Sequence, residues 1–246
     1  MDYSSTQEAR PPLTTYEQAA GMIDHSLLRP GLTEGQVEEG CRVARQYRVA
    51  SVTLRPSDVD LGVRLLEGSG VKVGTVAGFP HGSSTTGVKL FEARDAIRRG
   101  AAEVDMVINI GKMVSRQFQY VEMEVYQMAQ ACHEGGTLLK VIFENSYLTE
   151  DLKVIACKIC NRCEADFAKT STGYSESGAT VEDLKLMRRF CAPSVGIKAA
   201  GGIRTLEKLK EAYEIGVDRV GATATAAILD EWKAELAQAA QPAAGD

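Results

Sequence analysis

The sequence predicts a single (β/α)8 barrel. Eight short apolar or β-branched runs recur at intervals of about one βα unit, roughly 30 residues, with helix-period segments between them. No Pro/Gly/Ser linker or low-complexity block divides the 246 residues, a length at which such barrels form one domain. A doubly wound sheet is the competing arrangement, but its dinucleotide form carries G-x-G-x-x-G after the first strand. Here the chain reads Asp24-His25-Ser26-Leu27-Leu28-Arg29-Pro30 instead.

Taken in order, the strands are expected at 22–24, 49–54, 71–77, 104–110, 138–143, 166–169, 195–198 and 219–222. After the first, Thr33-Glu34-Gly35-Gln36 fits a capping box, in which the Thr hydroxyl and the Gln amide each satisfy a free helical N–H. Residues 152–163 read as a helix after the fifth strand. Beyond the sixth, Thr180 precedes Glu182 and Asp183, which suit the positive end of a helix dipole. Past the seventh, Thr205 precedes Leu206, Leu209 and Ala212 on one helical face. The barrel is expected over residues 16–238, with 1–15 a loose arm and 239–246 a loose tail.

Composition narrows the function. A net charge of −5 argues against a nucleic-acid binder, which needs a basic stripe. No apolar run reaches the length of a membrane span. The polar N-terminal stretch with Pro11-Pro12 lacks the apolar segment of a secretory signal, so a cytoplasmic protein with reduced thiols is expected. Cys157-x-x-Cys160-x-x-Cys163 resembles cluster spacing, yet Glu164-Ala165-Asp166 follows where another Cys and Pro would continue it. These cysteines are expected to be buried structural thiols on a helix.

In a barrel the active site lies at the C-terminal ends of the strands. Asp24, Thr53, Asp105, Glu144, Lys169 and Lys198 are expected there. Lys169 and Lys198 each close an apolar run and are followed by small, Gly-rich sequence. Lysine is rarely buried without a partner. A neighbouring cation and desolvation both disfavour the ammonium form and free an amine to attack a carbonyl. Either lysine alone could equally reach solvent from a strand end. Asp105 could hold a lysine ammonium and pass protons, or serve only as its buried counter-ion. Glu144 and Lys140 lie an even number apart, so they are expected on one side, as an ion pair or in catalysis.

Gly201-Gly202 after the seventh strand and Gly221-Ala222-Thr223 after the eighth suit a phosphate, because backbone N–H groups approach an anion closely there. Arg204 could add charge; a Gly-Gly pair alone is also consistent with a tight turn. His25, His81 and His133 are scattered, with no metal-site spacing, so a metal-dependent route is not expected. His25 is placed at the end of the first strand, His133 on a helix and His81 in a loop over the barrel mouth.

At these residues the chain resembles the deoxyribose-phosphate aldolase family of class I aldolases. The matching segments are Ile23-Asp24-His25-Ser26-Leu27-Leu28, Gly78-Phe79-Pro80, the run from Glu103 through Asp105 to Gly111, Phe167-Ala168-Lys169-Thr170-Ser171-Thr172-Gly173 and Lys198-Ala199-Ala200-Gly201-Gly202-Ile203-Arg204. The resemblance implies a barrel that reversibly joins acetaldehyde to glyceraldehyde 3-phosphate, giving 2-deoxyribose 5-phosphate, with no metal or organic cofactor. Its partners are expected to be small aldehydes and a sugar phosphate, in a homo-oligomer. Another phosphorylated sugar as substrate, or a catalytically silent sugar-phosphate-binding barrel, are the alternatives.

The resemblance makes Lys169 the Schiff-base lysine, Lys198 the second lysine that lowers its pKa, and Asp105 the acid that partners Lys198 and relays protons through water. It places Gly173, Gly201, Gly202 and Gly221 in phosphate loops and Asp24 and Ser26 near the sugar hydroxyls; Thr170, Arg204 and Thr223 are expected to contact the substrate beside those loops. The chain departs from the family where Thr53 replaces a pocket-lining cysteine, Arg55 a small amide, and Ala224 a small hydroxyl residue or Gly. The C-terminal tyrosine of some members is missing.

Overall fold

The computed structural model describes residues 1–3 and 10–240. Parts of the expected arm and tail therefore lie outside the described residues. The elements run α1 (Tyr16–Ala20), β1 (Ile23–Leu27), α2 (Glu34–Tyr47), β2 (Ser51–Leu54), α3 (Val59–Leu66), β3 (Lys72–Ala77), α4 (Thr86–Arg98), β4 (Glu103–Val107), α5 (Ile110–Val114) and α6 (Phe118–Glu134). They continue through β5 (Leu138–Ile142), α7 (Glu150–Arg162), β6 (Phe167–Lys169), α8 (Val181–Phe190), β7 (Gly196–Ala200), α9 (Leu206–Ile215), β8 (Arg219–Ala222) and α10 (Thr225–Ala239). The eight strands form one closed parallel barrel, β1 pairing with β8. The (β/α)8 expectation holds.

Local chemistry sets the helix starts. Thr33 accepts from the Gln36 N–H while the Gln36 amide accepts from the Thr33 N–H at 2.9 Å, which closes the capping box. Thr180 and Thr205 accept from Asp183 and Lys208 N–H groups at 3.1 and 3.3 Å, starting α8 and α9. The main apolar core lies between barrel and helices, where residues such as Val104, Met106, Leu139, Val141, Ile197, Leu209 and Ile228 are fully buried. Each such side chain stabilises the fold by roughly 1.5–3 kcal/mol.

Three strands end two or more residues from the expected position. β1 runs on to Leu27, because Asp24, His25 and Ser26 pair with β2, and the inward-facing Asp24 and Ser26 match a charged barrel interior. β4 stops at Val107, since the Asn109 side chain accepts from Lys112 N–H at 3.1 Å and starts α5. β7 runs to Ala200, which leaves Lys198 within the strand rather than at its end.

Register decides what faces inward. Asp24 pairs with Ser51 and Gly221, Asp105 with Val76 and Lys140, Lys140 with Phe167, and Lys169 with Lys198, which in turn pairs with Arg219. Neighbours in a parallel register share a face, so the interior carries acids and cations where many barrels stack aliphatics. Gly196 makes room: a Cβ there would meet the Phe167 ring at 2.5 Å. The end of β4 is pinned by the buried Lys89, whose Nζ donates to Val107 O at 2.7 Å and pairs with Glu124 at 2.9 Å. At the opposite end, Arg10 donates to Val217 O at 2.7 Å.

Candidate active site

The register sets Lys169 and Lys198 side by side on adjacent strands. They are 3% and 1% exposed, and both reach Asp105 on β4: Lys169 Nζ lies 2.6 Å and Lys198 Nζ 2.7 Å from the same Oδ2. Lys198 Nζ also lies 2.6 Å from Asp24 Oδ2. Below them, Lys140 Nζ contacts Asp24 Oδ2 at 2.8 Å and Glu103, with Asp105 Oδ1 at 3.5 Å. Arg219 closes the network, 2.6 Å from Asp24 Oδ1 and paired with Glu103. Phe167 stands beside both lower cations, its ring centre 5.8 Å from Lys140 and 5.9 Å from Arg219.

Four largely buried cations thus face three buried carboxylates. The surplus positive charge is most easily lost where compensation is weakest. Lys140 has three carboxylates about it, which outweigh burial and raise its pKa above the ordinary lysine value. Lys169 has only Asp105. Burial foremost, with the Lys198 and Lys140 charges acting the same way, outweighs Asp105 and lowers the Lys169 amine to about 8. Burial alone would raise Asp105 and Asp24, but the surrounding cations hold both carboxyls below the usual carboxylate range. The result is one amine that is partly neutral near pH 8. That is the state a carbonyl-attacking lysine requires.

Lys169 and Lys198 line a cavity of about 220 Å³ at the C-terminal mouth. It also takes in the expected residues Asp24, Ser26, Thr53, Gly173, Gly201, Gly202, Arg204, Gly221 and Thr223. Asp105 lies beneath the lysines, and its Oδ1 accepts no protein hydrogen bond. Thr53 is buried with its hydroxyl free of protein partners. Asp24 forms part of the floor, its oxygens engaged by Lys140, Lys198 and Arg219.

Thr170 does not line this cavity. Its hydroxyl donates to Ala200 O at 3.2 Å and accepts from Ala200 N–H at 3.0 Å, tying β6 to β7. Strand alternation accounts for this, since Lys169 points inward and the next side chain must point out. Glu144 does not pair with Lys140 either. β5 ends at Ile142, and Glu144 adopts a left-handed backbone with φ 54°, so the even spacing fails beyond the strand. Its carboxylate accepts instead from the Thr172 N–H at 3.2 Å, the Thr172 hydroxyl, and the Ser175 hydroxyl at 3.0 Å.

The glycine loops have the conformations their residues allow. Gly201 and Gly202 take φ of 81° and 92°, a region that favours glycine. A Cβ on Gly201 would lie 2.7 Å from Gly178 Cα, whereas Gly202 has open space beside it, on the cavity. α10 begins two residues beyond Thr223 with no side-chain cap, so its first N–H groups remain available there.

Sequence reasoning missed Leu28, Arg29, Thr172, Tyr174, Ala200 and Ile203 as lining residues. Thr172 and Tyr174 bracket the expected Gly173: Thr172 lies within the K-T-S-T-G segment, and Tyr174 is the next residue beyond it. Tyr174 donates to Leu28 O at 2.8 Å and meets Phe79 edge-on, ring centres 5.5 Å apart. His81 lines a neighbouring recess that shares Thr172 and Tyr174 with the main cavity. His25 lies within β1 rather than at its end, with Nδ1 2.8 Å from the Thr225 hydroxyl, and burial lowers it to about 4. His133 sits on α6, 2.9 Å from Asp166. Cys157, Cys160 and Cys163 are buried free thiols, and among the described residues no group of His, Cys, Asp and Glu has the arrangement of a metal site.

Comparison with known proteins agrees with this geometry. The chain is 46% identical over 214 residues to a deoxyribose-phosphate aldolase of Clostridium perfringens, covering 87% of this chain and 95% of that protein. It is 44% identical over 217 residues to one of Bacteroides thetaiotaomicron, covering 88% and 91%. Among solved structures it superposes on the tetrameric deoxyribose phosphate aldolase of Aeropyrum pernix with a TM-score of 0.84 at 30% identity, covering 91% of this chain and 94% of that one. An aldolase designated QR15 gives the same TM-score at 33% identity, covering 91% and 99%. Residues 20–234 match the model of the DeoC/LacD family aldolases, and the chain belongs to that family.

Proposed function

We propose that the chain is a class I aldolase that reversibly cleaves 2-deoxy-D-ribose 5-phosphate to acetaldehyde and D-glyceraldehyde 3-phosphate through a Schiff base on Lys169. The observation that carries the reading is the pair of buried lysines on one carboxylate oxygen, with the cavity-lining amine lowered to about 8. In the synthetic direction the neutral Lys169 amine adds to the acetaldehyde carbonyl, and the adduct loses water to give an iminium. The iminium loses a proton from its methyl carbon and becomes an enamine. That carbon attacks the aldehyde of the phosphorylated acceptor, whose oxygen takes a proton, and water then releases the product and restores the amine. Cleavage is the reverse.

Asp105 Oδ2 lies within hydrogen-bond reach of both Lys169 and Lys198, so it can pass a proton between them. Gly173, Gly201, Gly202, Gly221 and Thr223, with Arg204, hold the acceptor's phosphate. Ser26 and Thr53 face its hydroxyl-bearing carbons, while Asp24, already engaged by three cations, fixes Lys198. The chemistry draws on no metal or organic cofactor. An assay of 2-deoxyribose 5-phosphate cleavage with a chelator present tests it: wild type should turn over at full rate and Lys169→Leu should not. Chelator-sensitive turnover, or an active Lys169→Leu, would defeat the reading.

The same proposal makes the protein a cytoplasmic homo-oligomer with residues 16–238 as its catalytic unit. Among the described residues no helix is long and apolar enough to cross a membrane. α4 and α6 pack on each other and leave Val88, Phe91, Met123 and Tyr126 exposed, Phe91 to 69%. A second copy of the chain covers this apolar face; the Aeropyrum pernix relative is itself tetrameric.

A further inference from the structure

Arg55, a departure from the family pattern, follows β2 and is half-buried. Its Nε donates to Asp58 Oδ2 at 2.6 Å, which fixes the plane of the guanidinium. Nη1 then reaches the carbonyl oxygens of Pro30 and Leu32, each at 3.0 Å, in the loop that follows β1. From the other side Tyr174 donates to Leu28 O at 2.8 Å. Two ties therefore hold this loop, and between them lies Arg29.

Arg29 lines the cavity, and among the described residues its guanidinium has no hydrogen-bond or ion-pair partner. Arg204 lines the cavity in the same unpaired state. The barrel closes in the order β7-β8-β1, so the Arg204 loop and the Arg29 loop flank the β8 loop that carries Gly221 and Thr223. Among the described residues the only carboxylate lining this cavity, Asp24, is already engaged by Lys140, Lys198 and Arg219. Two unpaired planar cations on either side of an exposed backbone loop suit a tetrahedral dianion, which guanidinium binds in a fixed, often bidentate geometry.

We propose that Arg29 is a specificity-determining residue that contacts the acceptor's phosphate from the side opposite Arg204, and that Arg55 is the positioning residue that holds it there. This rests on the reading of the glycine loops as a phosphate seat. It also explains how the chain accommodates a long cation at position 55: that side chain serves the loop of β1 rather than the pocket itself.

The test is steady-state kinetics on 2-deoxyribose 5-phosphate and on 2-deoxyribose for Arg29→Ala, Arg55→Asn, Arg55→Lys, the double variant Arg29→Ala/Arg55→Asn, and Gly202→Asp. Losing one charge-assisted contact should raise KM of Arg29→Ala for the phosphorylated sugar roughly tenfold, with a much smaller change for the unphosphorylated one. Arg55→Asn should shift KM in the same direction but less. Arg55→Lys should fall between it and wild type, because one ammonium cannot hold Asp58 and both carbonyls in a planar fork. The double variant should be no worse than Arg29→Ala, since Arg55 acts through Arg29. Equal effects on both sugars in Arg29→Ala, or additive effects in the double variant, would overturn the proposal. If Gly202→Asp is selective for the phosphorylated sugar and Arg29→Ala is not, the phosphate seat stands and the assignment of Arg29 falls. If neither is selective, the seat itself falls and Arg29 with it. Should Arg55→Asn not fold, Arg29→Ala and Arg55→Lys decide the matter.

Discussion

Burial lowers the Lys169 amine to about 8, with Lys198 and Lys140 pushing the same way against Asp105. The reactive form is the neutral amine, so activity should rise with pH through about 8 as the ammonium gives up its proton. Lys198→Leu removes one of the charges that disfavour the ammonium. Its rising limb should move to higher pH, and the rate should fall by about 10²–10⁴, the usual worth of a positioned proton carrier. Single-turnover rates across the neutral and alkaline range check both; an unshifted limb at an unchanged rate would make Lys198 a bystander. At this scale the chain was readable where a lysine ends an apolar run, as Lys169 does. Asp105 was expected to hold a lysine, but that it serves both lysines, with Glu103 and Arg219 joining Lys140 beneath, was not readable, because which residues meet across a barrel depends on register between strands far apart in sequence.

The eight strands are legible in their apolar runs, and the misplaced boundaries fall at polar residues and turn chemistry. β1 was cut short because its inward face carries Asp24 and Ser26, so polarity there marks a charged interior and not a strand end. Glu144 shows the opposite failure: alternation was extended past the last strand residue into a left-handed turn. That turn aims a buried carboxylate at Thr172 and Ser175 and so fixes the loop that presents Gly173 and Tyr174 to the cavity. Glu144→Ala leaves the Thr172 N–H without this acceptor, a loss of about 1–3 kcal/mol for a buried group. Urea unfolding should show that loss, and kcat/KM should fall with it. Glu144→Gln keeps a carbonyl oxygen for the N–H and should retain most of both. A Glu144→Ala variant as stable and active as wild type would mean the loop holds itself.

The whole molecule places a charged column inside a barrel whose aliphatic core lies outside it, under the helices. Parallel alternation and the absence of a dinucleotide fingerprint were enough to predict that architecture, since few other arrangements satisfy them. Assembly was less legible, because an exposed apolar residue acquires meaning only beside its neighbours in space. Phe91→Glu places a charge on the apolar face of α4 and α6 and should shift sedimentation toward the monomer; an unchanged profile would put the interface elsewhere. The central claim is that Lys169 carries the covalent chemistry while Lys198 supports it, and borohydride reduction in the presence of acetaldehyde, mapped by mass spectrometry of the digested protein, tests it most directly. The account predicts one ethyl group on Lys169 and none in Lys169→Leu. An ethyl group on Lys198, or on neither lysine, would contradict it.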